Sequence, residues 1–320
     1  MGHSTLSDRN AGHYPQKQQV LGFGAETGEQ ARSFGPAGAK IFYVDPNNVQ
    51  AVDWGNPGEH PDVPLATVQA AITLCRDHAG DTIIVGANDD WQYSPGHKTA
   101  IQETVIIPHT KGGIRIVGGG PNPLACNWQV LVNTVGITVN ATDVEIEGFV
   151  FDGAGTGVLL EWNGTTKYGE NAVIKNCVFK DLAGGIQLEY AWYNAIDGCT
   201  FENVTKAILS LVGGSGFDFT QIKNSYFVDC GKAIEALGGC EYNEIAFNTF
   251  YNDDAQAGNA ATNDGVNTTG GSHNTVHNNV FSCVMPAAHA GDWDDFNTGA
   301  VTDAWVHNQL TNGIAVTTPT

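Results

Sequence analysis

Positive charge is what this chain has least of. Its 320 residues hold 14 lysines and arginines against 34 aspartates and glutamates, a formal net charge of −20. Contacts to a phosphate backbone need clustered Lys and Arg, so nucleic acid and anionic membrane are excluded as expected partners. No run approaches the roughly 18 apolar residues of a spanning helix. The opening Met1-Gly2-His3-Ser4-Thr5 lacks the basic and apolar regions of a signal peptide, so the expectation is synthesis in a cytoplasm. Seven cysteines make an odd number and no Cys-x-x-Cys, against a disulfide framework or zinc site; no cofactor and no metal is expected. What the chain does have is 40 glycines, 42% hydrophobic residues and only 15% charge, which suits a turn-rich all-β protein.

Between Asp143 and Ser282 one phrase recurs six times. It runs Ile146–Phe151, Ile174–Phe179, Ile196–Phe201, Ile222–Phe227, Ile245–Phe250 and Val276–Phe281, and the closing Phe residues are 28, 22, 26, 23 and 31 residues apart. Self-similarity at this period marks a solenoid. Gly or Asn usually sits two places after the opening residue, where a sharp bend needs a left-handed backbone. A second apolar phrase follows seven residues after each Phe: Val158, Ile186, Ile208 and Ile234. In the fifth repeat the gap from Phe250 to Val266 is sixteen, and the extra residues, within Asn252–Asn263, read as a surface loop. Gly153, Asp181, Asn203, Asp229 and Asn252, two past each Phe, are turn formers. Without helical periodicity, and without the spaced leucines of leucine-rich repeats, the units predict a parallel β-helix whose coils stack at about 4.8 Å.

Stacking predicts columns. The Ile and Phe positions point inward, and each coil needs its neighbours to bury them. Glu147, Lys175, Asp197 and Lys223 fall on the outside with alternating sign. Cys177 over Cys199 reads as a reduced, buried pair.

Residues 1–39 are polar and rich in Gly and Gln, with too few apolar side chains to bury their own surface. They are expected to form an extended arm that lies on another subunit, a different protein or the solenoid. Ile41–Val44 reads as a strand. Thr67 caps a short helix whose stripe is Val68, Ala71, Ile72 and Cys75, and Asp81–Val85 follows as a strand. Thr104–Ile107, Ile114–Val117 and Ile137–Val139 supply less regular coils, and Gly118-Gly119-Gly120 reads as a turn. The solenoid is expected over 40–285, with a C-terminal cap or inter-subunit segment at 286–320.

The run Thr67-Val68-Gln69-Ala70-Ala71-Ile72 followed by Gly80-Asp81-Thr82-Ile83-Ile84-Val85 resembles the entry motif of right-handed parallel β-helix proteins of the pectate-lyase-like superfamily. Phe42-Tyr43-Val44-Asp45 resembles versions in bacteriophage virion proteins. The resemblance covers roughly residues 40–285 and implies fold rather than activity, since the superfamily includes lyases, hydrolases and non-catalytic virion parts.

Candidate chemistry is sparse. Glu161 and Glu189 follow Val158 and Ile186 by three residues each, so they share a column on neighbouring coils. Retaining glycosidases hold two carboxyls about 5–5.5 Å apart. Trp162 and Tyr190, next in each copy, and Trp192 suit a sugar platform, although strand alternation turns the first two away from the glutamates. A solvated like-charge pair is the simpler account. Arg115 has no acidic cluster on its own coil, against a lyase site. His273, His277 and His289 with Asp292, Asp294 and Asp295 lack the spacing of a metal site. The sequence therefore points to a non-enzymatic phage virion protein. It would be a capsid decoration, head-fibre or spike subunit, homotrimeric, bound to other virion proteins through residues 1–40 and facing host surface glycans. A tailspike-like polysaccharide depolymerase or a glycan-binding β-helix is the alternative.

Overall fold

The computed structural model describes residues 38–86, 100–119, 126–162, 169–210, 216–236, 239–252, 264–268, 271–283 and 303–310. Three long parallel sheets form the walls of a right-handed parallel β-helix. The first sheet has ten strands, from Ile41–Val44 to Ala304–Val306. The second has eight, from Asn127–Val130 to Gln309–Leu310, and the third seven, from Val105–Ile107 to Asp264–Asn267. One coil runs Glu145–Glu147, Val150–Gly153 and Thr156–Leu160, then returns to the first sheet at Val173–Lys175.

The registers are those the repeats imply. Ile146, Ile174, Ile196, Ile222, Ile245 and Val276 pair in succession. So do Val158, Ile186, Ile208, Ile234 and Val266. Phe151, Phe179, Phe201, Phe227, Phe250 and Phe281 stack face to face inside, with centroids 4.6–5.1 Å apart. The bend between the first two sheets needs positive φ, and Gly148, Asn176, Gly198, Asn224 and Asn278 supply it. Gly153, Asp181, Asn203 and Asp229 do the same after the second sheet. Asn252 departs from this, because it lies within the strand Thr249–Asn252. The expected loop beyond it, 253–263, is outside the described residues.

Two interior columns flank the first sheet. Three residues past each Ile stand Phe149, Cys177, Cys199, Ser225, Asn248, Asn279 and, in the last coil, Asn308. Two residues before each Ile stand Val144, Ala172, Asn194, Thr220, Asn243, Asn274 and Asp303. The first column changes from apolar and thiol side chains to amides toward the C-terminus, while the second already holds an amide at Asn194 and ends on Asp303. Cys75, Cys126, Cys177, Cys199, Cys230 and Cys240 are buried with no disulfide among them, and burial pushes the thiols of Cys177 and Cys230 up to about 12.

The helix Val68–Leu74 lies against the first coils. The Thr67 hydroxyl accepts from the Ala70 N–H, and Val68, Ala71 and Ile72 are buried. The Glu103 carboxylate takes the Val68 and Gln69 N–H groups at 3.1 and 3.2 Å, adding to the cap. Gly118 is not part of a turn; it ends the strand Arg115–Gly118. A Cβ there would sit 2.1 Å from the Gly148 carbonyl oxygen of the next coil, so only glycine fits. Of the expected 286–320 segment, residues 304–310 continue the stack as a further coil, with Trp305 paired to Val276. Residues 1–37, 286–302 and 311–320 lie outside the described residues.

Candidate functional site along one edge

Residues 161–162 and 189–194 leave the third sheet for the first, and the predicted site residues gather on this edge. The Glu161 and Glu189 N–H groups donate to the Val139 and Leu160 carbonyls at 3.1 and 2.8 Å. The ladder thus runs one residue beyond the Leu188–Leu160 pair and sets the two carboxylates on adjacent coils. Burial and the neighbouring Glu189 raise the Glu161 carboxyl, opposed by a hydrogen bond with Asn140. Trp162 and Tyr190 meet edge to face with centroids 5.0 Å apart. Tyr190 has a φ of +50°, so the strand alternation expected to part aromatics from glutamates has ended before it. Trp192 pairs through its backbone with Asp218 in a short accessory strand.

Below Trp192 the edge carries a feature that sequence reasoning missed. Tyr193, Phe219, Tyr242 and His273 each precede a first-sheet Ile or Val by three residues. Their rings stack at 4.9, 5.1 and 4.9 Å. Unlike the interior Phe column this stack is outside: Tyr193, Phe219 and Tyr242 are 55, 44 and 49% exposed. All four residues have φ between +52 and +59°. A left-handed backbone costs a residue with a Cβ about 1–2 kcal/mol, while a stacked aromatic pair returns about 0.5–1.5 kcal/mol. Four strained residues thus cost about 4–8 kcal/mol, more than the roughly 1.5–4.5 kcal/mol that three stacked pairs return. Asp143 and Asn171 hold the same column position in the two preceding coils and tolerate that backbone more cheaply. Stability alone therefore gives no reason for rings here. The signal was legible, since aromatics recur at a fixed distance before the Ile.

The charged surface is self-paired. Arg115 does meet an acidic cluster, supplied by the next coil rather than its own. It lies 2.8 Å from Glu145, and Lys175 lies 2.6 Å from Glu145 and 3.1 Å from Glu147. Burial favours the neutral Glu145 acid, but the Arg115 and Lys175 hydrogen bonds win and hold its carboxyl below the usual range. All nine described Lys and Arg residues make ion pairs, the others being Lys40, Arg76, Lys111, Lys180, Lys206, Lys223 and Lys232. His277 bonds Glu244 at 3.1 Å. His289, Asp292, Asp294 and Asp295 lie outside the described residues.

Fold and edge together define a right-handed parallel β-helix with an aromatic margin. The chain belongs to the NosD family, whose model, described as periplasmic copper-binding protein (NosD), matches residues 80–268. No curated protein matches the chain. Among solved structures it is similar to an alginate lyase from Paenibacillus sp. at 15% identity, over 76% of this chain and 92% of that one, with a TM-score of 0.42. A Geobacillus virus E2 protein, ORF18, aligns at 13% identity over 84% of this chain and 60% of that one, also at 0.42. Rice weevil pectin methyl esterase aligns at 12% over 78% and 87%, again at 0.42.

Proposed function

We propose that this chain is a non-enzymatic structural subunit of a virus particle, a decoration, head-fibre or spike protein located in the virion. It assembles as a homotrimer and docks on other virion proteins through residues 1–40. The observation that carries this reading is continuity of coil-to-coil bonding on both sides of the wall. Phe rings and amide ladders join successive coils inside, and Arg115–Glu145–Lys175–Glu147 and Lys223–Glu244–His277 join them outside. Such a shaft is stiff and keeps its charges to itself. The test is to delete residues 1–39 and assay attachment to particles, with mass by light scattering. Loss of attachment by a trimeric protein is expected; undiminished attachment, or a monomer, overturns the assignment.

The family description names copper, and the described donors do not fit it. Among the described residues no three of His, Cys, Asp and Glu cluster to hold a metal. The six thiols are buried, and burial keeps them protonated at neutral pH. No copper step is assigned.

A polysaccharide depolymerase is the second reading, favoured by the raised Glu161 carboxyl beside Glu189, with Trp162, Tyr190 and Trp192 as sugar contacts. It requires reducing ends released from host envelope glycans and loss of that release in Glu161→Gln or Glu189→Gln. Such release would displace the non-enzymatic reading.

A further inference from the structure

We propose that the outer column Tyr193–Phe219–Tyr242–His273 is a binding ridge for a neutral, linear, hydroxyl-rich glycan lying parallel to the solenoid axis. Backbone geometry builds the ridge. The N–H of Tyr193, Phe219 and Tyr242 donates to the carbonyls of Asp218, Glu241 and Ser272, at 2.9, 3.0 and 3.2 Å. Each acceptor immediately precedes the next rung, so the left-handed bends lock one another and hold the rings in line. The rings cover one another's faces and present their edges. Tyrosine hydroxyls stand on the first and third rungs, Phe219 between them has none, and the His273 imidazole closes the row beside Ser272, 3.1 Å from its hydroxyl.

Three observations choose the occupant. The first is area. An aromatic side chain offers roughly 150–250 Å². The exposed fractions of Tyr193, Phe219 and Tyr242 therefore leave a strip of roughly 200–400 Å², well short of the ~800 Å² per partner of a stable protein interface. The second is charge. The chain carries −20, every described cation is already paired, and the residues immediately before Phe219 and Tyr242 are the carboxylates Asp218 and Glu241. A uronate-rich polymer would meet repulsion with no cation to answer it. The third is form. The strip is straight, one ring wide, and rises by 4.9–5.1 Å per rung, and a hexose chain advances per sugar by a step of the same order. Sugar hydroxyls reach the Tyr193 and Tyr242 oxygens, and the exposed ring edges between them give van der Waals contact. Trp192 immediately precedes the top rung in the chain, in the short strand paired with Phe217–Asp218. The inference does not rest on the virion assignment.

The full chain is titrated with cello-, xylo- and manno-hexaoses, and with polygalacturonate as the acidic control. Expected is binding of at least one neutral hexaose. It should weaken roughly tenfold or more in Phe219→Asn and in Tyr242→Asn, about 1.4 kcal/mol by the usual conversion. The melting temperature should stay within a few degrees, because asparagine relieves the backbone strain as the stack is lost. Tyr242→Phe, which keeps the ring, should weaken binding several-fold. No binding of any neutral hexaose, binding of polygalacturonate alone, or binding indifferent to these variants overturns the proposal. So does self-association of the full chain that Phe219→Asn abolishes.

Discussion

The coils before and after Ser225 answer one structural demand in opposite ways. In the C-terminal half the directional bonds are inside. Asn279 Oδ1 accepts from the Asn248 N–H at 2.9 Å, Asn308 Oδ1 from the Asn279 N–H at 3.0 Å, and Nδ2 of Asn248, Asn279 and Asn308 donates to the Ile222, Ile245 and Val276 carbonyls at 2.9–3.0 Å. In the N-terminal half the same carbonyl position is met by thiols, Cys199 on Ile174 at 3.6 Å and Cys177 on Ile146 at 3.9 Å, which are far weaker donors. The outer wall is the reverse. The Arg115–Glu145–Lys175–Glu147 side chains are only 7–23% exposed, whereas Lys223, Glu244 and His277 are 21–33% exposed. The column three residues past each Ile carries the amide bonds of one half, and the less exposed ion pairs lie on the skin of the other. The same coil geometry thus accepts two chemistries, provided each bend carbonyl finds a partner.

The Phe column runs through both halves, so it sets the scale. Phe201→Ala and Phe250→Ala should each cost about 3–5 kcal/mol, because both rings are fully buried between stacked neighbours. Urea unfolding checks this, and unequal losses would show that one half is not packed as the stacking implies. Asn279→Ala comes next, at about 2–4 kcal/mol. It removes an acceptor for the Asn248 N–H and a donor to the Ile245 carbonyl, leaving buried groups unsatisfied.

Glu145→Gln tests the outer wall and should cost about 1–2 kcal/mol at neutral pH, since Arg115 and Lys175 lose their charged partner. Its folded-state carboxyl is held below the usual value, so the contribution is complete above the unfolded value of about 4.3 and is lost as pH falls through the folded one. The gap between wild type and variant should therefore close in acid. Glu244→Gln, in the more exposed pair, should cost less. An equal cost would erase the contrast between the two skins.

How much of this the sequence disclosed follows from what each signal looks like in one dimension. Ile146, Phe151 and their repeats declare coil, register and core, because a buried column tolerates few residue types. Asn176 and Asn224 declare bends, because asparagine is a recognised left-handed residue. Tyr193, Phe219, Tyr242 and Phe247 adopt the same backbone and were not legible as bends, since aromatics carry no such preference and the strain is held by tertiary bonding. The Arg115 cluster stayed hidden because its carboxylates come from the next coil, thirty residues on at Glu145. The amide ladders were written plainly, at fixed distances from each Ile, and could have been read.

Cys199 is where the contrast between the halves can be moved by one residue. It sits directly above Ser225, whose hydroxyl accepts the Cys199 N–H at 3.2 Å, and its thiol spans to the Ile174 carbonyl. Cys199→Ala removes a weak donor and a little volume, and should cost about 1 kcal/mol or less, well under Asn279→Ala at the equivalent rung. Cys199→Asn should put an amide where the C-terminal coils keep theirs, donating to Ile174 in place of the thiol. If the apolar and amide columns are two fillings of one geometry, this variant unfolds within about 1 kcal/mol of wild type, because the new hydrogen bond offsets the burial of polar atoms. A loss comparable to that of Asn279→Ala would mean that the N-terminal coils are shaped for apolar contents alone, and that the change of chemistry at Ser225 is a change of geometry too.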